Sequence, residues 1–124
     1  MTQYGIGAHG EPVISATLAR GYIEEHAERP DFVLLDVRTD EEIEDAHIPG
    51  VLRLDILSGE FQQRVNQLER GHDYLLVCRS GNRSGYAAAM MLQLGFQRVA
   101  NLEGGMLAWL RQGYPVEEGA VEMG

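Results

Sequence analysis

The only cysteine of the chain sits in the stretch Cys78-Arg79-Ser80-Gly81-Asn82-Arg83-Ser84, directly after the apolar run Tyr74-Leu75-Leu76-Val77. A free thiol is mostly protonated at neutral pH, since its pKa is about 8.5, and it becomes a strong nucleophile only where the anion is favoured. The residue types that follow Cys78 favour it. A glycine-containing turn that runs into a helix can aim successive backbone N–H groups inward, and the helix start adds partial positive charge. Gly81 allows a backbone angle that a side chain would forbid. Arg79 and Arg83 bring two positive charges close to the sulfur on a chain that is otherwise acidic. The spacing therefore predicts a cradle built from Arg79, Ser80, Gly81, Asn82, Arg83 and Ser84 around a Cys78 thiolate. The same donors would hold an anionic substrate and stabilise charge on a leaving group. A cysteine ending a buried strand is often only a small apolar filler. A packing cysteine gains nothing from two neighbouring guanidinium groups, so the chemical reading is preferred.

Such a loop needs a strand before it and a helix after it, and the pattern supplies both. Tyr74 to Val77 reads as a buried strand, and Tyr86 to Leu94 as a nearly all-apolar helix closed by Gly95. Elsewhere, Pro12 to Ile14 reads as a short strand. Ser15 then caps a helix over Ala16 to His26, with Leu18, Tyr22 and Ile23 on one face. Phe32 to Leu35 is an apolar strand ending at Asp36. Thr39 and Glu42 form a capping box at the next helix start. Val51 to Leu54 is a strand, and Phe61, Val65 and Leu68 mark one face of a helix. Arg98 to Leu102 is the last strand, and Met106 to Gln112 the last helix. Strands alternating with helices predict an α/β fold with a parallel sheet covered on both faces. Ligands of such sheets lie beyond the carboxyl ends of the strands. Asp36, Cys78 and the 101–105 segment end strands, so they are candidates to face one site, with Asp36 and Arg38 read either as a substrate contact or as a structural ion pair there. Residues 1–10 are expected to be a flexible, Gly-rich lead, 11–117 the domain, and 118–124 an acidic tail.

Composition narrows the partners. A formal net charge of −9 disfavours a sequence-independent nucleic-acid surface and adsorption to anionic lipid. The longest apolar run, Tyr86 to Leu92, is far short of the roughly 20 residues that cross a bilayer. Met1 to Gly10 holds no basic residue and no long apolar core, so no secretory signal is expected there. One cysteine precludes an internal disulfide and suits a reducing cytoplasm. The four histidines, His9, His26, His47 and His72, lie too far apart for helical ligand spacing, so no metal is expected.

Three blocks together resemble the rhodanese-like, single-domain sulfurtransferases. They are Leu35-Asp36-Val37-Arg38-Thr39-Asp40-Glu41-Glu42 continued by Ala46-His47-Ile48-Pro49-Gly50, then Val77 to Ser84, then Asn101 to Trp109. The resemblance spans about residues 14–116. Ala46 departs from the glycine usual there, which affects a turn. The resemblance implies a five-stranded parallel sheet flanked by helices. It also implies a Cys78 persulfide, loaded by a small anionic donor such as thiosulfate and unloaded by cyanide, an external thiol or a protein thiol, with no cofactor. An alternative within the same family is a partner-binding or sulfur-relay module with little small-molecule turnover. Cysteine phosphatases use a loop one residue longer and commonly a histidine before the cysteine, where this chain has Val77. The shorter loop makes a smaller ring of donors, better matched to sulfur than to a phosphoryl group. His47 reads as a turn or packing histidine, Glu103-Gly104-Gly105 as the pocket rim, and Trp109, Met90 and Met91 as core.

Overall fold

Alternation along the central strands decides the layers. In β3 (Phe32–Asp36) Leu34 and Leu35 point to opposite faces, and in β5 (Asp73–Val77) Leu75 and Val77 oppose Tyr74 and Leu76. All six are buried in the two apolar layers, because helices cover both sides. One face packs Leu35, Tyr74, Leu76 and Cys78 against α3 (Phe61–Val65) and α4 (Asn82–Gln93). The other packs Leu34, Leu75, Val77 and Leu102 against α1 (Ala16–His26) and α5 (Gly105–Arg111). Cys78 thus continues the Tyr74–Leu76 row and is delivered to the α4 side. The computed structural model describes residues 4–124. Among them no helix is long and apolar enough to cross a membrane.

The sheet order is β1-β2-β6-β5-β3-β4, with β1 at Gly5–Ile6, β2 at Pro12–Ile14, β4 at Leu52–Arg53 and β6 at Arg98–Leu102. Five strands are parallel, as expected; the sixth, β1, adds antiparallel to β2 at the edge. It falls in the segment read from sequence as loose. Both of its residues are exposed, so no apolar alternation announces it. Its backbone pairing closes an edge that would otherwise present unpaired N–H and C=O groups. At the far edge the acidic tail runs along β4: Arg53 N–H donates to the Glu122 carbonyl at 2.9 Å and Gly124 N–H to the Arg53 carbonyl at 2.8 Å.

Three helices differ from the expectation. In α1 the face toward the sheet carries Ala16 and Ala19, whose small side chains let the helix lie close, and Leu18 is exposed instead. The helix α4 begins at Asn82 rather than Tyr86, because its polar first turn is taken up by the loop. Short α3 ends at Val65, although Leu68 still packs on the core. The helix α2 (Asp40–Asp45) shows the expected capping box between Thr39 and Glu42.

Candidate active site

The loop from Cys78 to Ser84 is shaped from behind by α5. Met106 N–H donates to the Cys78 carbonyl at 2.9 Å, and Leu107 N–H to the Arg79 carbonyl at 3.0 Å. Both carbonyls are therefore turned away from the sulfur. The approach is so close that a Cβ on Gly105 would overlap both carbonyl oxygens. Gly81 then takes a left-handed conformation, φ 100°, and starts α4. The result is a ring of donors. Gly81 N–H reaches Cys78 Sγ at 3.1 Å, the Ser84 hydroxyl lies 3.2 Å from it, and the amides of Ser80 and Ser84 add to the field that favours its anion.

Cys78 is almost wholly buried, at 1% exposure. Burial pushes its thiol up, but the Ser84 hydroxyl and the amides of Ser84, Gly81 and Ser80 outweigh that and bring it below the ordinary thiol value. The inward N–H groups of the loop, one of the expected causes, act on the sulfur together with the Ser84 hydroxyl. Arg83 turns away to make a bidentate pair with Glu42, both N···O distances being 2.8 Å. Glu42 is in turn held down at about 2, chiefly by that pair, against the cost of its partial burial. Arg79 is exposed at the loop's outer side. Asn82 is exposed too, with its Oδ1 3.4 Å from His9 Nε2.

Asp36 ends β3 beside Val77, as expected, but is fully buried with both oxygens engaged by Arg38, the closest at 2.8 Å. Arg38 also donates to the carbonyls of Ala46 and Glu42. The pair ties β3 to the end of α2 and stands apart from the donors around Cys78 Sγ. His47 is buried in its turn, with Nδ1 2.8 Å from the Ile43 carbonyl.

Two residues complete the site from outside the loop. Asn101, on β6, presents Oδ1 to the Ser84 hydroxyl at 2.5 Å as a second acceptor beside Cys78 Sγ, and donates from Nδ2 to the Gly81 carbonyl at 2.9 Å. The same Nδ2 donates to Glu11 at 3.1 Å. Asn101 was legible only as part of a strand end. Glu11 carries no local signal, since it meets the site across 90 residues.

A buried thiol with a lowered pKa, ringed by N–H donors at the carboxyl end of a parallel strand, defines a nucleophile-loop α/β domain. The comparisons give that class its family. Residues 20–112 match the Rhodanese-like domain. A protein of Allochromatium vinosum named sulfurtransferase is 39% identical over 90 residues, covering 73% of this chain and 82% of its own. Thiosulfate sulfurtransferase 18 of Arabidopsis thaliana is 34% identical over 94 residues, covering 66% and 69% respectively. The solution structure of the rhodanese-like domain of an Anabaena protein superposes with a TM-score of 0.73 at 28% identity, over 87% of this chain and 80% of that one. The chain belongs to the rhodanese-like domain family.

Proposed function

We propose that this protein is a sulfurtransferase that carries sulfane sulfur on Cys78 from a small anionic donor to a thiol or cyanide acceptor. The observation that carries the reading is the ring of donors converging on the sulfur of the only cysteine. The Cys78 thiolate attacks the outer sulfur of thiosulfate; the sulfur–sulfur bond of the donor breaks, and sulfite leaves with the electron pair. The amides of Ser80, Gly81 and Ser84 then hold the anionic persulfide. An external nucleophile attacks the terminal sulfur and the Cys78 thiolate departs, giving thiocyanate from cyanide or a new persulfide from a thiol. With no second cysteine, the acceptor has to be another molecule. Arg79, exposed on the loop, supplies charge for the approaching donor, and Arg83 holds the loop in place through Glu42.

Incubation with thiosulfate followed by intact-mass measurement should show an adduct of one sulfur, removed by cyanide or dithiothreitol and absent from Cys78→Ser. An adduct that survives in Cys78→Ser, or none in the parent protein, overturns the mechanism. Loading without appreciable thiocyanate turnover would place the natural acceptor among protein thiols.

A further inference from the structure

Glu11 is 2% exposed, and among the described residues no cation pairs with it. Its Oε1 accepts from His9 N–H at 2.9 Å and its Oε2 from Asn101 Nδ2 at 3.1 Å. The carboxylate is walled by glycines: a Cβ on Gly7 would overlap it, and one on Gly85 would come within 2.5 Å of Oε2. Gly85 lies in the first turn of α4, whose partial positive charge suits an anion there. The β1–β2 hairpin thus presses one carboxylate against the back of the catalytic loop. Burying a carboxylate without a cation is costly.

What Glu11 controls is a proton. The Ser84 hydroxyl has one hydrogen and two acceptors, Asn101 Oδ1 at 2.5 Å and Cys78 Sγ at 3.2 Å. Asn101 cannot turn its amide over, because both Glu11 and the Gly81 carbonyl need its Nδ2 as donor. Its Oδ1 is therefore held toward Ser84, and the anion behind it strengthens that oxygen as an acceptor. We infer that Glu11 is a positioning residue which, through Asn101, draws the Ser84 proton away from sulfur and keeps Cys78 a stronger nucleophile than its donor ring alone would leave it. The inference rests on the sulfur-transfer reading for its purpose. In that cycle Cys78 is nucleophile in one half-reaction and leaving group in the other. A more stabilised thiolate attacks more slowly and leaves more readily.

The other charges nearby are Arg83 on α4, which faces Cys78 and is itself faced by Glu42 on α2 and Asp36 on β3, and His9 and Glu103 along the cleft beside Glu11. They stay unchanged in the test. The experiment measures alkylation of Cys78 by iodoacetamide against pH in the parent protein, Glu11→Gln, Ser84→Ala and the double variant. Glu11→Gln should lower the midpoint by about one pH unit, and Ser84→Ala should raise it. In the Ser84→Ala background Glu11→Gln should shift nothing. Sulfur loading from thiosulfate, measured well above the midpoint, should fall about threefold in Glu11→Gln, and unloading to cyanide should rise by about as much. An equal midpoint shift in both backgrounds means a through-space charge effect and overturns the inference, as does no shift in either. If Glu11→Gln fails to fold, Gly7→Ala displaces the carboxylate from the far side and should lower the midpoint in the same direction; an unchanged midpoint overturns the inference. Alkylation needs no sulfur transfer. A parent protein that takes up no sulfur therefore sinks the proposed function while the midpoints still judge Glu11.

Discussion

Ser84 and Gly81 stabilise the anion at Cys78 at hydrogen-bond distance, whereas the guanidinium of Arg83 is directed to Glu42. A packing contact much like that of a core residue therefore coexists with a favoured anion, because the donors belong to the loop that encloses the buried thiol. Gly105 is the residue on which this geometry depends most, since its missing side chain lets α5 seize the carbonyls of Cys78 and Arg79. Gly105→Ala should lose about 2–4 kcal/mol of stability through left-handed strain and overlap. The fraction still folded should alkylate more slowly at neutral pH, as the amides lose their aim. Urea unfolding and iodoacetamide kinetics on the same preparation check both; a destabilised variant with unaltered Cys78 reactivity would mean that the loop holds its shape without α5. The shape of the Cys78 loop was legible in sequence because strand, cysteine, glycine turn and helix start are contiguous. The inward N–H groups were part of that reading, but the direction of Arg83 was not, since residue spacing says which charges are near in the chain and not where long side chains go.

Between elements, the Arg83–Glu42 pair joins the first turn of α4 to the capping box of α2 and so fixes the loop's outer wall. Glu42 titrates at about 2 when folded and near 4.5 when unfolded. Its folded value is depressed, so the stability it contributes is fully present above about pH 4.5 and is lost as pH falls through about 2. The pair is only partly buried, and Glu42→Gln should therefore cost about 1 kcal/mol at pH 6, with the difference from the parent fading toward pH 2. Denaturant melts at a series of pH values measure it. Arg83→Ala should cost a similar amount, and the double variant little more than either single one. Fully additive costs would mean that the two residues act independently. Half of this device was visible beforehand: Thr39 and Glu42 announce a cap three residues apart, but the partner of Glu42 lies 41 residues on. The edge strand β1 was invisible for a different reason, as a strand with both residues exposed has no apolar pattern to read.

At the scale of the whole molecule, the charge is at odds with the proposed donor. The chain carries 19 acidic against 10 basic side chains, a net of −9, and thiosulfate is a dianion. Arg79 and the donor ring act over a few ångströms, whereas the acidic surface repels the donor over the screening length, about 30 Å at 0.01 M salt and about 8 Å at 0.15 M. The long-range term therefore weakens with salt much more than the short-range one. Raising ionic strength between those values should increase kcat/KM for thiosulfate by a few-fold, roughly twofold to fivefold, reversing the usual loss seen when opposite charges steer association. Iodoacetamide is uncharged and meets no such field, so its rate with Cys78 should stay level over the same range. Arg79→Ala should lower kcat/KM at every salt concentration and steepen its rise, because it removes a positive charge from the mouth of an already repulsive surface. A rate with thiosulfate that falls with salt would show that the loop's local positive field governs capture and that the acidic remainder of the molecule is too distant to matter.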